Sequence, residues 1–318
     1  MDTIREFIKI WGAQIRSNFL ILSILLAAIG LSLAALHMKK TGIGSFSLLD
    51  ALLLVLGVVL AHTSVNLFNE YSDHVTGIDF NTQRTPFSGG TGLLQSGKTT
   101  PLAVSTAAWE TLFFAFIIGL YFSIMSHWLL LVIMIIGALS IVLYTQYLAK
   151  WLLGEFFAGL SLGSLVVVGT FIAMAGGNAA TIRDLFPPEV ILVSVPPGIL
   201  TALLLFLNEF PDAEVDQKGG RFHLVIWLGK KRAAAVYVFG LALTYAFIIA
   251  APLAKVTSWW LLLGCGTIPL AVKAGATALR HYDDTPKLVP ALGQNVVVVL
   301  ATDALLAVAL LIEMVAVV

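Results

Sequence analysis

Two short polar stretches contain the side chains of this sequence that could do chemistry. Residues 66–73 (Asn-Leu-Phe-Asn-Glu-Tyr-Ser-Asp) follow one apolar run, and residues 208–212 (Asn-Glu-Phe-Pro-Asp) follow another. Both contain Asn-Glu-x-x-Asp, and a further aspartate follows each stretch, Asp79 and Asp216 respectively. Oxygen ligands from Asp and Asn suit Mg²⁺, which shares its coordination shell with substrate phosphates. We therefore expect the two stretches to face each other and to bind Mg²⁺ and a diphosphate.

The spacing inside each stretch places its polar side chains on one side of a helix, because residues three and four apart share a helix face. The first helix carries such residues at steps of four, three and four: His62, Asn66, Asn69 and Asp73. The second carries them at steps of four and four: Asn208, Asp212 and Asp216. A polar stripe on an apolar helix faces a cavity rather than lipid. Gly77 is expected to end the first helix and to let Asp79 turn back.

Basic residues follow both stretches. Arg84 and Lys98 come after the first, and Lys218 and Arg221 come after the second. A guanidinium group matches phosphate oxygens two at a time, and a bare cation site would not need basic residues. The mixture of charges therefore favours a metal plus a diphosphate. The alternative for any single carboxylate is a salt bridge that anchors a helix end.

The composition places both stretches in a membrane protein. Of the 318 residues, 59% are hydrophobic and only 11% are charged, whereas soluble domains carry about 25% charged residues. The net charge of zero gives no reason to expect a nucleic-acid partner. The single cysteine, Cys265, excludes an internal disulfide framework and a cysteine-based zinc site.

Nine apolar runs approach the roughly 20 residues that a bilayer-spanning helix needs. They are 18–36, 48–66, 102–122, 128–148, 156–175, 190–207, 233–253, 259–279 and 292–318. Since lipid cannot pair with backbone groups, these runs should be helices. We expect an all-α membrane protein with nine transmembrane helices around a central cavity. The motif shared by both halves indicates one domain, 1–318, made of two pseudo-repeated halves, 18–148 and 156–279, plus the ninth helix.

Basic residues concentrate on the side of the membrane that holds the N-terminus and the two long polar loops, 67–101 and 208–232. The positive-inside rule then predicts a cytoplasmic N-terminus and a site that faces the cytoplasm, in the inner or cytoplasmic membrane. Before the first run, apolar residues recur at helical spacing: Ile4, Ile8, Trp11 and Ile15. This pattern predicts an amphipathic helix on the membrane surface, with a disordered tail as the alternative.

At both motifs the sequence resembles the UbiA superfamily of intramembrane aromatic prenyltransferases. The first motif, Asn69-x-x-x-Asp73 with Gly77-Ile78-Asp79, is most similar to the naphthoquinone branch, the dihydroxynaphthoate prenyltransferases. A third similar feature follows the fourth apolar run, at Tyr144-Thr145, Lys150 and Gly154-Glu155. The sequence departs from the family pattern at Glu70, where Asp is common, and in the loop 84–92.

The resemblance implies the UbiA-type fold and Mg²⁺-dependent transfer of a polyprenyl group from polyprenyl diphosphate to an aromatic acceptor. The acceptor it implies is 1,4-dihydroxy-2-naphthoate, in menaquinone biosynthesis. The implied metal ligands are Asn69, Asp73, Asp79, Asn208, Asp212 and Asp216. The implied diphosphate ligands are Asn69, Arg84, Lys150, Asn208, Lys218 and Arg221. The implied catalytic residues are Asp73, Asp212, Tyr144 and Lys150, of which Tyr144 and Lys150 border the diphosphate and the allylic carbon.

Several alternatives stay open at the level of the sequence. The acceptor could instead be 4-hydroxybenzoate, homogentisate, a porphyrin or a glycerol-phosphate lipid. A cation or phosphate-solute transporter is the alternative of another class, because intramembrane acids also mark ion pathways. His62 is interpreted as a hydrogen-bonded packing residue rather than a ligand. The glycines of 89–92 either let backbone amides approach phosphate or form a simple flexible loop.

Overall fold

The fold of the chain is given by a computed structural model that describes residues 2–80, 82, 84–144 and 147–317. Within these residues the regular structure is entirely helical. The helices before the midpoint are α1 (Asp2–Gln14), α2 (Leu20–Thr41), α3 (Leu48–Val75), α4 (Pro101–Met125) and α5 (Leu129–Leu143). Those after it are α6 (Gly154–Phe157), α7 (Leu165–Ala175), α8 (Pro188–Lys218), α9 (Leu224–Leu228), α10 (Lys230–Leu253), α11 (Ile268–His281) and α12 (Thr285–Ala316).

Eight helical segments of the described chain are long and apolar enough to cross a membrane. In one of them a π-helical turn, Ala158–Ser164, joins α6 to α7, and in another a 3₁₀ segment, Trp259–Thr267, leads into α11. Many large apolar side chains are exposed on the outer surface of these segments, as expected where the solvent is lipid. The chain is an integral membrane protein.

The predicted count of nine spans is not confirmed. Among the described residues of the run predicted over 128–148, the α-helix extends only over α5, which has 15 residues and falls short of the length of a full span. The chain leaves the helix at Tyr144 and turns, with the amide of Ala149 donating to the Tyr144 carbonyl over 2.9 Å. The apolar composition of the run did not reveal this turn.

Local sequence explains where the spanning helices begin. The Ser47 hydroxyl accepts from the amide of Asp50 and caps α3. Thr100 caps α4 in the same way, directly before Pro101, and Asp284 caps α12. Side chains of these types satisfy amides that a helix start leaves without partners.

Close packing between α8 and the π-helical turn positions the second polar stretch. A Cβ on Gly159 would lie 2.5 Å from the carbonyl oxygen of Gly198, and a Cβ on Gly163 would lie 2.6 Å from the Cα of Gly198. Only glycine therefore fits these positions, as is common where membrane helices approach closely. The helix α8 continues through Pro196, Pro197 and Pro211 to Lys218, so Asn208, Asp212 and Asp216 lie on one helix.

Candidate functional site

The side chain of Arg221 joins the two acidic stretches. Its Nη2 donates to Asp73 near the end of α3, and its Nη1 donates to Asp216 near the end of α8 over 3.0 Å. The arginine side chain is only 15% exposed. Hydrogen bonds between ionised partners are roughly twice as strong as neutral ones. The two helix ends therefore meet at one end of the helical bundle.

A chamber with a volume of about 170 Å³ lies beside this contact. One asparagine from each stretch, Asn69 and Asn208, lines it together with Tyr144. The ring of Tyr144 packs against Gly154, where an added Cβ would lie 3.4 Å from the ring. The chamber thus brings together residues of both stretches and of the third sequence feature. Thr145, the neighbour of Tyr144, lies outside the described residues.

The chamber lies between two other cavities. An apolar cavity of about 200 Å³ runs among α3, α4, α5 and α7, and it shares five lining residues with the chamber: His62, Val65, Ile141, Ser161 and Leu162. A wider cleft of about 600 Å³ separates α1 from the loop 84–92, and it shares Arg16, Phe19 and Phe87 with the chamber. An apolar ligand and a polar ligand could therefore reach the chamber from different sides.

Asp79 is buried beneath the glycine-rich loop. The turn expected at Gly77 is present, because this residue has a φ of 78° and a 3₁₀ turn, Ile78–Phe80, follows it. Gln95 Nε2 donates to Asp79 Oδ2 over 3.1 Å. The pKa of Asp79 is raised to about 7, first because burial disfavours its charge and then because the Asp73 and Glu70 carboxylates are close, while the hydrogen bond from Gln95 acts in the opposite direction.

The backbone of the glycine-rich loop packs directly against Asp79. A Cβ on Gly90 would lie 2.5 Å from Asp79 Oδ2, and the φ of Gly90 is 69°. Arg84 is exposed, but its Nη2 donates to the backbone oxygen of Asp79 over 3.4 Å. The glycines of this loop thus let its backbone approach a carboxylate of the first stretch.

Glu70, the residue at which the sequence departs from the family pattern, hydrogen-bonds to two other segments and holds them to α3. Its side chain accepts from Gln14 Nε2 over 3.3 Å, from Arg16 Nε over 3.2 Å and from the hydroxyl of Thr91 over 2.7 Å. The amide of Thr91 donates to it as well, over 3.0 Å. Glu70 therefore holds the end of α1 and the glycine-rich loop against α3.

The other polar residues of the α3 stripe also serve packing. His62 Nδ1 lies 2.6 Å from the hydroxyl of Ser23, as expected of a hydrogen-bonded packing residue, and His62 also lines the chamber and the apolar cavity. Asn66 Nδ2 donates to the backbone oxygen of Ile15 over 2.9 Å. The stripe therefore faces both the chamber and the N-terminal segment.

The donor set at the meeting point fits a divalent cation. Asn208 Oδ1 and Asp212 Oδ1 are buried and have no hydrogen-bond partner among the described residues, and polar atoms in that state normally have one. The six predicted ligands supply only oxygen atoms: Asn69, Asp73, Asp79, Asn208, Asp212 and Asp216. Such a set suits Mg²⁺ and leaves room for phosphate oxygens in its coordination shell.

The predicted basic residues are not equally placed. Arg221 lies inside the site, whereas Lys150 and Lys218 are exposed. In the part of the chain that the structure describes, neither lysine makes an ion pair with a carboxylate of the two stretches. Lys150 closes a short 3₁₀ turn, Leu148–Lys150. A diphosphate would have to draw these flexible side chains inward.

Sequence reasoning missed His223 and gave no role to Glu155 and Glu209. All three side chains are buried next to Asp216. The available signal was weak: His223 is an ionisable residue two positions after Arg221 and directly before the apolar helix α9. Arg16 was also missed, although its position before the first apolar run was visible.

The model of the UbiA prenyltransferase family matches residues 23–291 of this chain. The chain belongs to the UbiA prenyltransferase family. As a member it is a prenyltransferase, and the matched region includes both acidic stretches and Arg221. The family resemblance expected from the motifs is confirmed, as is the all-helical membrane architecture.

Among curated UbiA-type proteins, the chain is similar to the 1,4-dihydroxy-2-naphthoate octaprenyltransferase of Bacillus subtilis, with 29% identity over 214 residues. That match covers 66% of this chain and spans about two thirds, 65%, of the Bacillus protein.

Two solved UbiA structures share the fold. The apo structure of a UbiA homolog from Aeropyrum pernix superimposes with a TM-score of 0.69 at 18% identity, covering 93% of this chain and 98% of that one. A UbiA homolog from Archaeoglobus fulgidus bound to GPP and Mg²⁺ has a TM-score of 0.59 at 16% identity, covering 95% and 99%.

Proposed function

We propose that this prenyltransferase transfers a polyprenyl group from polyprenyl diphosphate to 1,4-dihydroxy-2-naphthoate, in menaquinone synthesis. The observation that carries the proposal is the double contact of Arg221 with Asp73 and Asp216. It puts carboxylates from two helices and one guanidinium beside a chamber that continues into an apolar cavity. This arrangement suits a ligand with a metal-bound anionic head and a long apolar tail.

The relatives support the choice of substrates. The similar Bacillus protein is a 1,4-dihydroxy-2-naphthoate octaprenyltransferase, and the Archaeoglobus homolog binds GPP and Mg²⁺. For the present chain we infer the same chemical classes: an allylic diphosphate as the donor, a naphthoate as the acceptor and Mg²⁺ as the cofactor.

In the proposed mechanism, Mg²⁺ would be held by Asn69, Asp73, Asp79, Asn208, Asp212 and Asp216. When bound, Mg²⁺ supplies Lewis-acid stabilisation of the diphosphate leaving group. Arg221 adds a fixed positive charge at the same place, and bound diphosphate would draw the exposed side chains of Arg84, Lys150 and Lys218 toward it. Fixed charges that face the atoms where charge develops lower the barrier without reorganisation.

The protein then controls what happens at the allylic carbon. The carbon–oxygen bond breaks, its electron pair leaves with the diphosphate, and a carbocation forms at the prenyl end. The tail lies in the apolar cavity, which excludes the water that would capture the cation. The ring of Tyr144 lines the chamber and can stabilise the cation through its face. An electron-rich ring carbon of the acceptor forms the new bond and releases its proton, or its carboxylate as CO₂.

We propose that the acceptor enters through the cleft between α1 and the loop 84–92. Arg16 lies between this cleft and the chamber, so a cationic side chain meets the acceptor's carboxylate on its way in. The N-terminus and the site are proposed to face the cytoplasm, where the basic loop residues concentrate.

The test uses purified full-length protein in proteoliposomes with Mg²⁺ and radiolabelled polyprenyl diphosphate. The acceptor panel contains 1,4-dihydroxy-2-naphthoate, 4-hydroxybenzoate, homogentisate and a glycerol-phosphate lipid. The proposal expects a prenylated naphthoquinol and release of one diphosphate per product. Transfer to a different acceptor would overturn the substrate assignment. Transport of diphosphate or cations into the liposomes without any transfer would overturn the enzymatic function.

A further inference from the structure

A second group of ionisable side chains lies behind the carboxylates of the proposed diphosphate site. It consists of Glu155, Glu209 and His223, and we refer to it as the Glu–Glu–His cluster. Each residue offers one ligand atom, and these atoms all lie within 4.8 Å of one another. The exposed fractions are 3%, 8% and 2% respectively. None of the three is among the six proposed Mg²⁺ ligands.

Among the residues that the structure describes, four atoms of the cluster have no hydrogen-bond partner. They are Glu155 Oε2, Glu209 Oε2 and both ring nitrogens of His223, of which Nδ1 faces Glu209. A buried polar group without a compensating partner is costly, and a buried carboxylate much more so. Arg221 acts electrostatically on Glu209, but its guanidinium hydrogen-bonds to Asp73 and Asp216 rather than to the cluster. A cation bound among the cluster atoms would therefore offset part of this cost.

The two ring nitrogens of His223 face carboxylates on opposite sides of the ring, an arrangement compatible with metal binding. Its Nδ1 lies 3.4 Å from Glu209 Oε2, inside the cluster, and its Nε2 lies 3.4 Å from Asp216 Oδ2, on the opposite side. Histidine ligands typically present one nitrogen to the metal and donate from the other to a carboxylate, which fixes the tautomer. Asp216 occupies the position of that outer carboxylate.

Glu155 is held in a similar way. The amide of Leu224, the first residue of α9, donates to Glu155 Oε1 over 2.8 Å. This hydrogen bond fixes the carboxylate and leaves Oε2 directed into the cluster. The three side chains come from α6, α8 and the residue that precedes α9. The glycine-mediated packing of α8 on the π-helical turn holds two of these elements together.

We propose that Glu155, Glu209 and His223 form a binding site for a transition-metal ion, Zn²⁺ by preference, that is separate from the Mg²⁺ site. Imidazole nitrogen together with carboxylate oxygen is a donor set typical of Zn²⁺, whereas Mg²⁺ prefers oxygen alone. The ion would hold His223, and through the contact with His223 it would fix Asp216 in the orientation in which Arg221 meets it. A metal ion bound here would therefore hold the segment after α8, which carries His223, against the carboxylates of the proposed diphosphate site.

The test measures metal binding without any prenyl transfer, so its outcome is independent of the proposed substrates. Purified full-length protein in detergent is stripped with a chelator and dialysed against limiting Zn²⁺ in a large excess of Mg²⁺. Bound zinc per chain is counted by mass spectrometry, and X-ray absorption reports its ligands. One tightly bound Zn²⁺ per chain is expected, with nitrogen and oxygen ligands at roughly 2.0–2.2 Å.

Three variants decide the location of the zinc. Loss of a residue that only hydrogen-bonds to a metal ligand weakens metal binding roughly 10- to 100-fold. Because His223 and Glu155 are proposed as direct ligands, His223→Gln and Glu155→Gln should each weaken Zn²⁺ binding by more than this. Glu155→Gln can keep the bond to Leu224, which protects the fold, and circular dichroism checks both variants. His62→Gln is the control, because His62 is equally buried but bonded to Ser23, and it should bind zinc like the parent.

Absence of stoichiometric zinc in the parent protein would overturn the proposal, and it would mean that the two glutamates share a proton instead. Equal loss of zinc in His62→Gln and His223→Gln would also overturn it, because the effect would then not be specific to the cluster. Displacement of zinc by excess Mg²⁺ would overturn it as well, because both ions would then use the oxygen ligands of the Mg²⁺ site.

Discussion

Asp73 and Asp216 lie on different helices, yet both accept hydrogen bonds from the guanidinium of Arg221. In the absence of diphosphate, this guanidinium keeps the two carboxylates together. When a diphosphate and its metal are bound, the same group can donate to phosphate oxygens. The contact thus keeps a guanidinium in place for an anionic ligand, whose phosphate oxygens can take the role of the carboxylate oxygens.

Replacement of Arg221 should reduce transfer strongly. We expect Arg221→Ala to lower kcat/KM by about 10²–10³-fold, the range seen when one charge-stabilising donor is removed. Arg221→Lys should recover little, because an ammonium group cannot contact two carboxylates in a fork. The measurement is initial-rate kinetics with varied prenyl diphosphate. Arg232→Ala, at an exposed arginine near the start of α10, should leave the rate unchanged, and an equal loss there would contradict a specific role of Arg221.

Gly90 is expected to be intolerant of any side chain. A Cβ at this position would lie 2.5 Å from Asp79 Oδ2, so Gly90→Ala must displace either the loop or the carboxylate. A displacement of about 1 Å near reacting groups can reduce rates by about 100-fold. Gly97→Ala is a matched control, because Gly97 has a φ of 71° and an added Cβ would meet nothing within 4 Å. Similar activity in both variants would show that the loop does not position Asp79.

The sequence predicted the 8 long apolar helices that the structure contains, together with a ninth that is too short, since bilayer thickness is reflected directly in the length of apolar runs. The Asn-Glu-x-x-Asp repeat also indicated which helix ends meet. The division into two pseudo-repeated halves stays a prediction.

Contacts between distant segments could not be read from the sequence. Glu70 takes its partners from Gln14, Arg16 and Thr91, and nothing local in residues 66–73 indicates them. His223 acquires its role only because α8 brings Glu209 and Asp216 to either side of the ring. The shortness of α5 was hidden in the same way, because hydropathy shows the extent of an apolar run but not the turn at Tyr144.

The contacts of Glu70 should contribute measurably to stability. Glu70→Ala leaves the donors of Gln14 and Thr91 unsatisfied and removes the partner of Arg16, and one buried group left without its partner costs about 1–3 kcal/mol. The thermal midpoint in detergent should fall accordingly. Glu214→Ala, at a glutamate whose side chain is 78% exposed, should leave the midpoint nearly unchanged. A midpoint for Glu70→Ala equal to that of Glu214→Ala would contradict the fastening role of Glu70.

The apolar cavity should limit the length of the prenyl group. Gly137 lines this cavity, and an added Cβ there would meet no atom of the described residues within 4 Å. A Gly137→Phe substitution is therefore expected to fill the cavity without disturbing the helix and to shift the preference toward shorter prenyl diphosphates. Product analysis with donors of several lengths measures the shift. Leu139→Phe, on the same helix but 52% exposed, should keep the parent's preference; a shift of equal size in Leu139→Phe would contradict the assignment of this cavity to the tail.

The most direct test of the central claim compares Asp73→Asn and Asp212→Asn with the parent protein in a Mg²⁺ titration of prenyl transfer. Because these aspartates come from the two separate stretches, we predict that each variant loses most of its Mg²⁺-dependent transfer and that chelation abolishes transfer by the parent. If either purified variant retains most of the parent's Mg²⁺-dependent rate, the two stretches do not form the metal-diphosphate site.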